Sequence, residues 1–268
     1  MNVIQVVTVV NNYVQYEHNI ENNPFYKNFD LVHFDNTIEN LVVPARYNYF
    51  IDNFLSPDGW VMFCHQDFFV NEDLSSKLSG LDRNCIYGVV GTKSYQCTGI
   101  ILRLKGARAF TIRKKRFFEN IEYGQHLQLF DGDKAKIKLK GKKVKKPFEV
   151  DTLDSCCLLM HSSLIRKHNL KFDEKFDFSL YQADLSIMVR KLYNIKTKVL
   201  QLNCCHLGMG LRNAGYFRCL ARLIKKYPEE KIAVTFSGIS EVDAFRYFFA
   251  NKDFGQEMES FISMGGNL

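Results

Sequence analysis

The chain has 268 residues, 46% of them apolar and 24% charged, with a formal charge of +7. That length and apolar content supply a packed core for one large domain or two small ones and exclude a disordered protein. No run approaches the roughly 18 apolar residues of a membrane span. Met1 to Val10 lacks the basic segment and small-residue cleavage site of a secretory signal, so a cytoplasmic protein is expected.

Val3 to Val10 is a β-branched run ending in Asn11-Asn12, and Phe29 to Phe34 is a second one ending in Asp35-Asn36. A polar amphipathic segment closed by Pro24 separates them, which predicts a strand, helix, strand unit. A helical pattern over Ala45 to Leu55, apolar at Tyr47, Phe50, Ile51 and Leu55, leads through Pro57-Asp58-Gly59 into Trp60-Val61-Met62-Phe63-Cys64. This run reads as a fully buried strand and stops abruptly at His65-Gln66-Asp67. The alternation of strands and helices predicts a parallel sheet. Open α/β sheets bind ligands beyond the carboxyl ends of their strands, so these three polar residues stand where a cofactor or metal would be held.

Further strands are expected at Ile86 to Val90 and Gly99 to Leu104. Two basic stretches follow, Arg113-Lys114-Lys115-Arg116 and the lysines between Lys134 and Lys146, with turn signals at Asp131-Gly132-Asp133 and Gly141. A mobile hairpin or disordered loop is expected over the lysine-rich stretch, about 131–147. Such patches attract nucleic acid, anionic lipid head groups or phosphorylated substrates, unless they are only solvated loops. Stacking on nucleic-acid bases needs aromatics, and Lys134 to Lys146 contains none.

Strands are expected again at Phe148 to Leu153 and Cys156 to Met160, then a short helix from Ser162 to His168. A helix around Asp184 to Tyr193 places Leu185, Met188, Val189 and Leu192 on one face. A strand at Lys198 to Leu202 runs into Cys204-Cys205-His206. The C-terminal part holds a basic helical segment from Ala214 to Tyr227, a turn at Pro228 and a second helix from Glu241 to Asn251. Arg218, Arg222, Lys225 and Lys226 beside Tyr216, Phe217, Leu220 and Leu223 suit either a membrane-surface helix or a packed terminal helix. The cysteines lie inside apolar runs and read as reduced core residues. No C-x-x-C pair occurs, and Cys204-Cys205-His206 has no second ligand pair at zinc-like spacing.

Acidic and amide residues recur at the ends of these elements, in Val9-Val10-Asn11-Asn12, Phe34-Asp35-Asn36-Thr37, Tyr47-Asn48, Phe63-Cys64-His65-Gln66-Asp67 and Val150-Asp151-Thr152-Leu153-Asp154. Phe172-Asp173-Glu174-Lys175-Phe176 and Tyr181-Gln182-Ala183-Asp184-Leu185 complete the series. In this order they resemble the family 2-like bacterial glycosyltransferases of GT-A fold, with His-Gln-Asp as a version of the Asp-x-Asp motif. The resemblance covers roughly residues 1 to 210. It implies an α/β, GT-A (Rossmann-like) domain with a mostly parallel central sheet flanked by helices, and a C-terminal helical extension over 211–268. The nucleotide-binding half would span about 1–105, the basic loop about 131–147 and the acceptor-binding half about 148–210.

The resemblance also implies an inverting, metal-dependent, hexosyltransferase-type enzyme. It would move a sugar from a nucleotide-diphosphate donor, UDP-linked, to a hydroxyl of a surface glycan, either lipooligosaccharide or capsule. A divalent cation stabilises the charge on a diphosphate leaving group and takes oxygen ligands, so Asp67 is expected to anchor Mn2+ or Mg2+. His206 and His65 are the further metal candidates, His65 standing where many relatives have the first Asp. Asn11, Asn12, Asp35, Asn36, Asn48, Gln66 and Asp154 are assigned to the donor, where carboxylates and amides meet base, ribose or sugar hydroxyls. Asp184 matches the general base, its place in the first helical turn favouring the ionised form.

The implied partners are a nucleotide-sugar donor and a glycan or glycolipid acceptor, with peripheral association of the basic segments at the inner face of the membrane and no nucleic acid. The competing reading is a non-catalytic or nucleic-acid-binding protein that uses the basic loop on an α/β scaffold. Val10-Asn11-Asn12-Tyr13 is unlike the Gly-rich loop of a nucleotidyltransferase, and P-loop, Gly-x-Ser-x-Gly and Gly-x-Gly-x-x-Gly patterns are absent from the sequence.

Overall fold

The computed structural model describes residues 3–105, 109–130, 136–208, 214–230, 232–233 and 238–239. The first half runs through β1 (Val3–Val10), α1 (Tyr13–Tyr16), β2 (Asp30–Asp35), α2 (Val43–Asn53), β3 (Gly59–His65), β4 (Phe68–Val70), α3 (Leu74–Ser79) and β5 (Ile86–Gly88). Two antiparallel hairpins follow, β6 (Gly91–Lys105) with β7 (Ala109–Tyr123), and β8 (His126–Phe130) with β9 (Lys136–Lys140). The second half comprises β10 (Phe148–Val150), β11 (Thr152–Leu153), β12 (Cys157–His161), α4 (Ser162–His168), α5 (Tyr181–Tyr193), β13 (Thr197–Val199), β14 (Cys204–His206), α6 (Ala214–Lys226) and β15 (Gly238–Ile239).

The central sheet has seven strands in the order β10-β13-β5-β12-β3-β1-β2. β1 pairs in parallel with β2 and β3, and β5 with β13. β12 runs antiparallel between β3 and β5, and β10 antiparallel at the edge. Five strands thus share one direction and the sheet is mixed. The apolar runs of β3 and β12 are buried on both faces, which explains why they lack polar alternation.

Successive residues of these strands feed two separate cores, as the pleat requires. Val61, Phe63, Leu158 and Met160 pack with residues of α2, α4, α5 and α6, while Trp60, Met62, Cys64 and Leu159 pack with Tyr16 of α1 and Leu74 and Leu78 of α3. Helices therefore cover both faces of the sheet. The cysteines whose side chains are described are free, all but Cys205 of them buried.

α6 spends its apolar residues Tyr216, Cys219, Leu220 and Leu223 in the first core, so the segment is a packed helix and its apolar face is not available to a membrane surface. The expected second helix from Glu241 to Asn251 lies outside the described residues. Among the described residues no helix is long and apolar enough to cross a membrane. Within the lysine-rich stretch Lys136–Lys140 form β9, which pairs with β8, and β8 joins β14 and β4 in a further sheet; the expected turn at Asp131-Gly132-Asp133 lies outside the described residues. Arg113 to Arg116 lie within β7, a strand much longer than the flanking sequence predicts.

Candidate active site

Because β1, β2 and β3 are parallel, their carboxyl ends reach the same edge of the sheet, with Val10 opposite Asp35 and Val9 opposite His65. A cleft of about 360 Å3 opens there, lined among others by Asn11, Asn36, Tyr47, His65, Gln66, Asp67, Asp177 and Phe178. Gln66 organises one wall. Its Oε1 accepts from the backbone N–H groups of Asn11 and Asn12 at 2.9 Å each, and its Nε2 donates to Asn11 Oδ1. Asn12 caps α1, accepting from Gln15 N.

Asn36 is buried and both ends of its amide bind Leu41, donating to its carbonyl and accepting from its N–H at 2.9 Å each. That closes the turn carrying Asn40, Leu41 and Val42, which forms another part of the lining. Asp35 is exposed. Its carboxyl is held below the usual range by hydrogen bonds from the Thr37 hydroxyl and N–H. Asn48, expected at the donor, departs from that role: it donates to Phe172 O and Glu174 Oε1, accepts from Phe172 N, and is not among the cleft-lining residues. Its polar atoms tie α2 to the segment before α5.

At the end of β3 the structure brings together His65, Asp67 and His206, with one ligand atom of each lying within 4.8 Å of the others. Pairing of β14 with β4 places His206 opposite Phe68, the neighbour of Asp67, and Leu207 N donates to Asp67 O. His65 stacks on Phe178 with ring centroids 5.0 Å apart, and its Nε2 lies 3.3 Å from Tyr181 Oη. Burial pushes the His65 imidazole down to about 4, leaving it neutral with a lone pair to offer. For Asp67, burial works upward, but the two histidines hold its carboxyl below the ordinary value. For His206, burial works downward and the Asp67 carboxylate outweighs it, so the imidazole sits above its ordinary value.

The residues present fit a divalent cation. Asp67 Oδ1 and His206 Nε2 are buried, 3.4 Å apart, and among the described residues neither has a hydrogen-bond partner. A Cβ at Gly208 would fall 2.6 Å from Asp67 Oδ2 and 2.8 Å from His206 Nε2, so only glycine leaves this space open. Two imidazoles and one carboxylate suit Mn2+ better than Mg2+, which prefers oxygen. Asp154 accepts from Cys156 N at 3.0 Å, and its charge acts upward on both His65 and His206, but it is neither among the cleft-lining residues nor in the group of His65, Asp67 and His206.

Asp184, expected as the base, is outside the cleft lining. Its side chain is 3% exposed and faces Lys226 Nζ at 2.8 Å, because this face of α5 packs on α6. Burial pushes its carboxyl up and Lys226 offsets part of the rise. Asp177, Phe178 and Tyr181 reach the site without having been singled out as site residues by the sequence. An exposed aromatic just before a helix is the one signal they carry. Gln128, which contacts His206, carries none.

No protein-family model matches the sequence, and no curated protein matches it. Solved structures similar to this chain include S. aureus TarS 1-349, at 12% identity and a TM-score of 0.43, over 83% of this chain and 64% of that one. A second is GalNAc-T7 with UDP, GalNAc and Mn2+, at 11% identity and a TM-score of 0.47, over 98% of this chain and 58% of that one. A third is the inositol-1-phosphate CTP transferase from T. maritima, at 10% identity and a TM-score of 0.35, over 85% of this chain and 98% of that one. The chain thus spans less than two thirds of the first two structures.

Proposed function

We propose that this chain is a metal-dependent glycosyltransferase that takes a sugar from a nucleotide-diphosphate donor, UDP-linked, and passes it to an acceptor hydroxyl. The observation that carries the reading is the convergence of His65, Asp67 and His206 beside a cleft bounded by the ends of β1 and β2. The cleft volume, about 360 Å3, falls in the range of small-molecule sites. When bound, a divalent cation would supply positive charge to the departing diphosphate.

The rest is the work of this chain's own residues. Asn11 lies at the end of β1 and Asn36 at the end of β2, where a nucleoside would lie, and Gln66 fixes the backbone of Asn11 and Asn12. Phe178 covers one face of the His65 ring and keeps water from it. An inverting transfer needs a carboxylate at the acceptor hydroxyl. With Asp184 bound to Lys226, Asp177 is, among the described residues, the cleft-lining carboxylate left for that task once Asp67 serves the cation. The acceptor in this reading is a surface glycan, lipooligosaccharide or capsule, reached from the cytoplasmic face of the membrane with help from the basic hairpins.

Calorimetric titration of UDP with and without Mn2+ tests the core of the reading. UDP binding that requires Mn2+ and disappears in Asp67→Asn is the expected result. No UDP binding under either condition overturns it, and cation-independent, salt-sensitive binding of nucleic acid would favour the scaffold alternative.

A further inference from the structure

β14 carries His206 into the site between β4 and β8, and the parallel register sets Gln128 opposite His206. Gln128 is 8% exposed and its amide is engaged on every side. The carbonyl of Gly208 can only accept, so the atom of Gln128 that meets it must be Nε2. The same Nε2 lies 3.3 Å from His206 Nδ1. That ring nitrogen is thereby held as an acceptor, and the ring proton belongs on Nε2, the nitrogen that looks at Asp67 Oδ1 across 3.4 Å.

The far side of the amide faces His126. Gly124 O can only accept, so His126 Nδ1, at 2.9 Å from it, carries the ring proton and Nε2 of the neutral ring is bare. That nitrogen lies 3.3 Å from Gln128 Oε1 and would accept from Gln128 Nε2 once the amide has turned. A metal-bound imidazole requires the opposite arrangement, with the coordinating nitrogen bare and the other N–H donating to an acceptor.

We propose that Gln128 is a positioning residue of the metal centre, holding His206 as the Nε2–H tautomer so that cation capture by His206 is coupled to rotation of the Gln128 amide. The inference rests on the metal reading given above. It also gives the lysine-rich hairpin a place in the site: β8, its inner strand, is the wall that selects which nitrogen His206 presents.

Long-range proton–nitrogen correlation spectra of the metal-free chain test this directly, with His206→Ala to identify the ring. His206 is expected as the Nε2–H tautomer in the native sequence, and Gln128→Leu is expected to erase that preference. Mn2+ titration supplies the second measurement. Gln128→Glu can only accept, so it is expected to bind Mn2+ about 10-fold to 100-fold more tightly than the native chain, the range of outer-shell effects at metal sites. Gln128→Leu is expected to show no such gain. An Nδ1–H His206 in the native chain, or equal Mn2+ affinity in the native chain and Gln128→Glu, overturns the proposal. Absence of Mn2+ binding in all variants refutes the metal reading on which it rests, a failure that the tautomer spectrum distinguishes from a misplaced Gln128.

Discussion

Replacing Lys226 by Met is expected to destabilise the chain near neutral pH, and to do so less as the pH falls. Lys226 Nζ lies 2.8 Å from Asp184 Oδ1 and 2.7 Å from Asp173 Oδ2. The Asp184 side chain is 3% exposed and that of Lys226 35%. Removing one member of a buried pair costs about 3–5 kcal/mol, because the other charge is left without compensation. A third of Lys226 is in water, where such pairs are worth about 0.2–1 kcal/mol, which lowers the expectation to about 2–3 kcal/mol. For a chain of this size that is roughly 5–10 °C in Tm.

The pH dependence follows from the direction of the two carboxyl shifts. Burial raises the folded-state pKa of Asp184, so the native chain keeps a proton where the unfolded chain has lost it, and ionisation of Asp184 costs stability as the pH rises from 3.8 to the folded value. The Met variant raises that value further and lets Asp184 escape its charge in mild acid. Asp173 is opposite: burial works upward, but Lys226 and the Lys175 N–H hold it low, so its contribution is present above its unfolded value and lost as the pH falls through the folded one. The Asp184 effect shrinks the penalty between about pH 8 and about pH 5, while the Asp173 contribution is lost only below its unfolded value of 3.8. Urea unfolding followed by the fluorescence of Trp60, the single tryptophan, measures it. In an Asp184→Asn background the same Met substitution is expected to cost under about 1 kcal/mol, since no buried charge is then stranded. A penalty below about 0.5 kcal/mol at neutral pH, or one unchanged at about pH 5, refutes the reasoning.

Four further outcomes are expected. Gly208→Ala places a methyl group 2.6 Å from Asp67 Oδ2, so Mn2+ binding measured by electron paramagnetic resonance should be lost while circular dichroism stays native. Asn48→Ala removes three hydrogen bonds between α2 and the Phe172 segment and should lower unfolding free energy by about 2–3 kcal/mol, with UDP affinity unchanged; a selective loss of UDP affinity would restore Asn48 to the donor site. Mn2+ affinity should fall as the pH drops through the raised His206 value, because the proton and the cation compete for one nitrogen, while His65, at about 4, adds a second proton only in stronger acid. Asp177→Asn should leave Mn2+-dependent UDP binding intact and abolish turnover of whichever UDP-sugar the native chain consumes, whereas Asp184→Asn should retain that turnover.

Much of the scaffold is legible in the sequence because its determinants are local. β3 reads as a buried run because both of its faces are covered, and its stop at His65-Gln66-Asp67 marks the sheet edge. The helix from Ser162 to His168 is bounded as the sequence predicts, ending on Asn169 in the left-handed conformation. The direction of β12 was not legible, since burial on both faces leaves the same pattern in a parallel or an antiparallel strand. Part of β6 was legible at Gly99 to Leu104, but the full length of β6 and β7 was not, since basic residues such as Arg113 to Arg116 break the apolar pattern.

The sequence by itself determined which segments are buried, where β1, β2 and β3 end, and which polar residues stand at those ends, because periodicity and capping are properties of neighbours along the chain. Only the tertiary structure decided what those residues meet. His206 reaches Asp67 through the pairing of β14 with β4, Gln128 reaches His206 through β8, and Asp184 turns to Lys226 because α5 packs on α6. These meetings are set by the burial of whole faces, and no spacing along the chain encodes them.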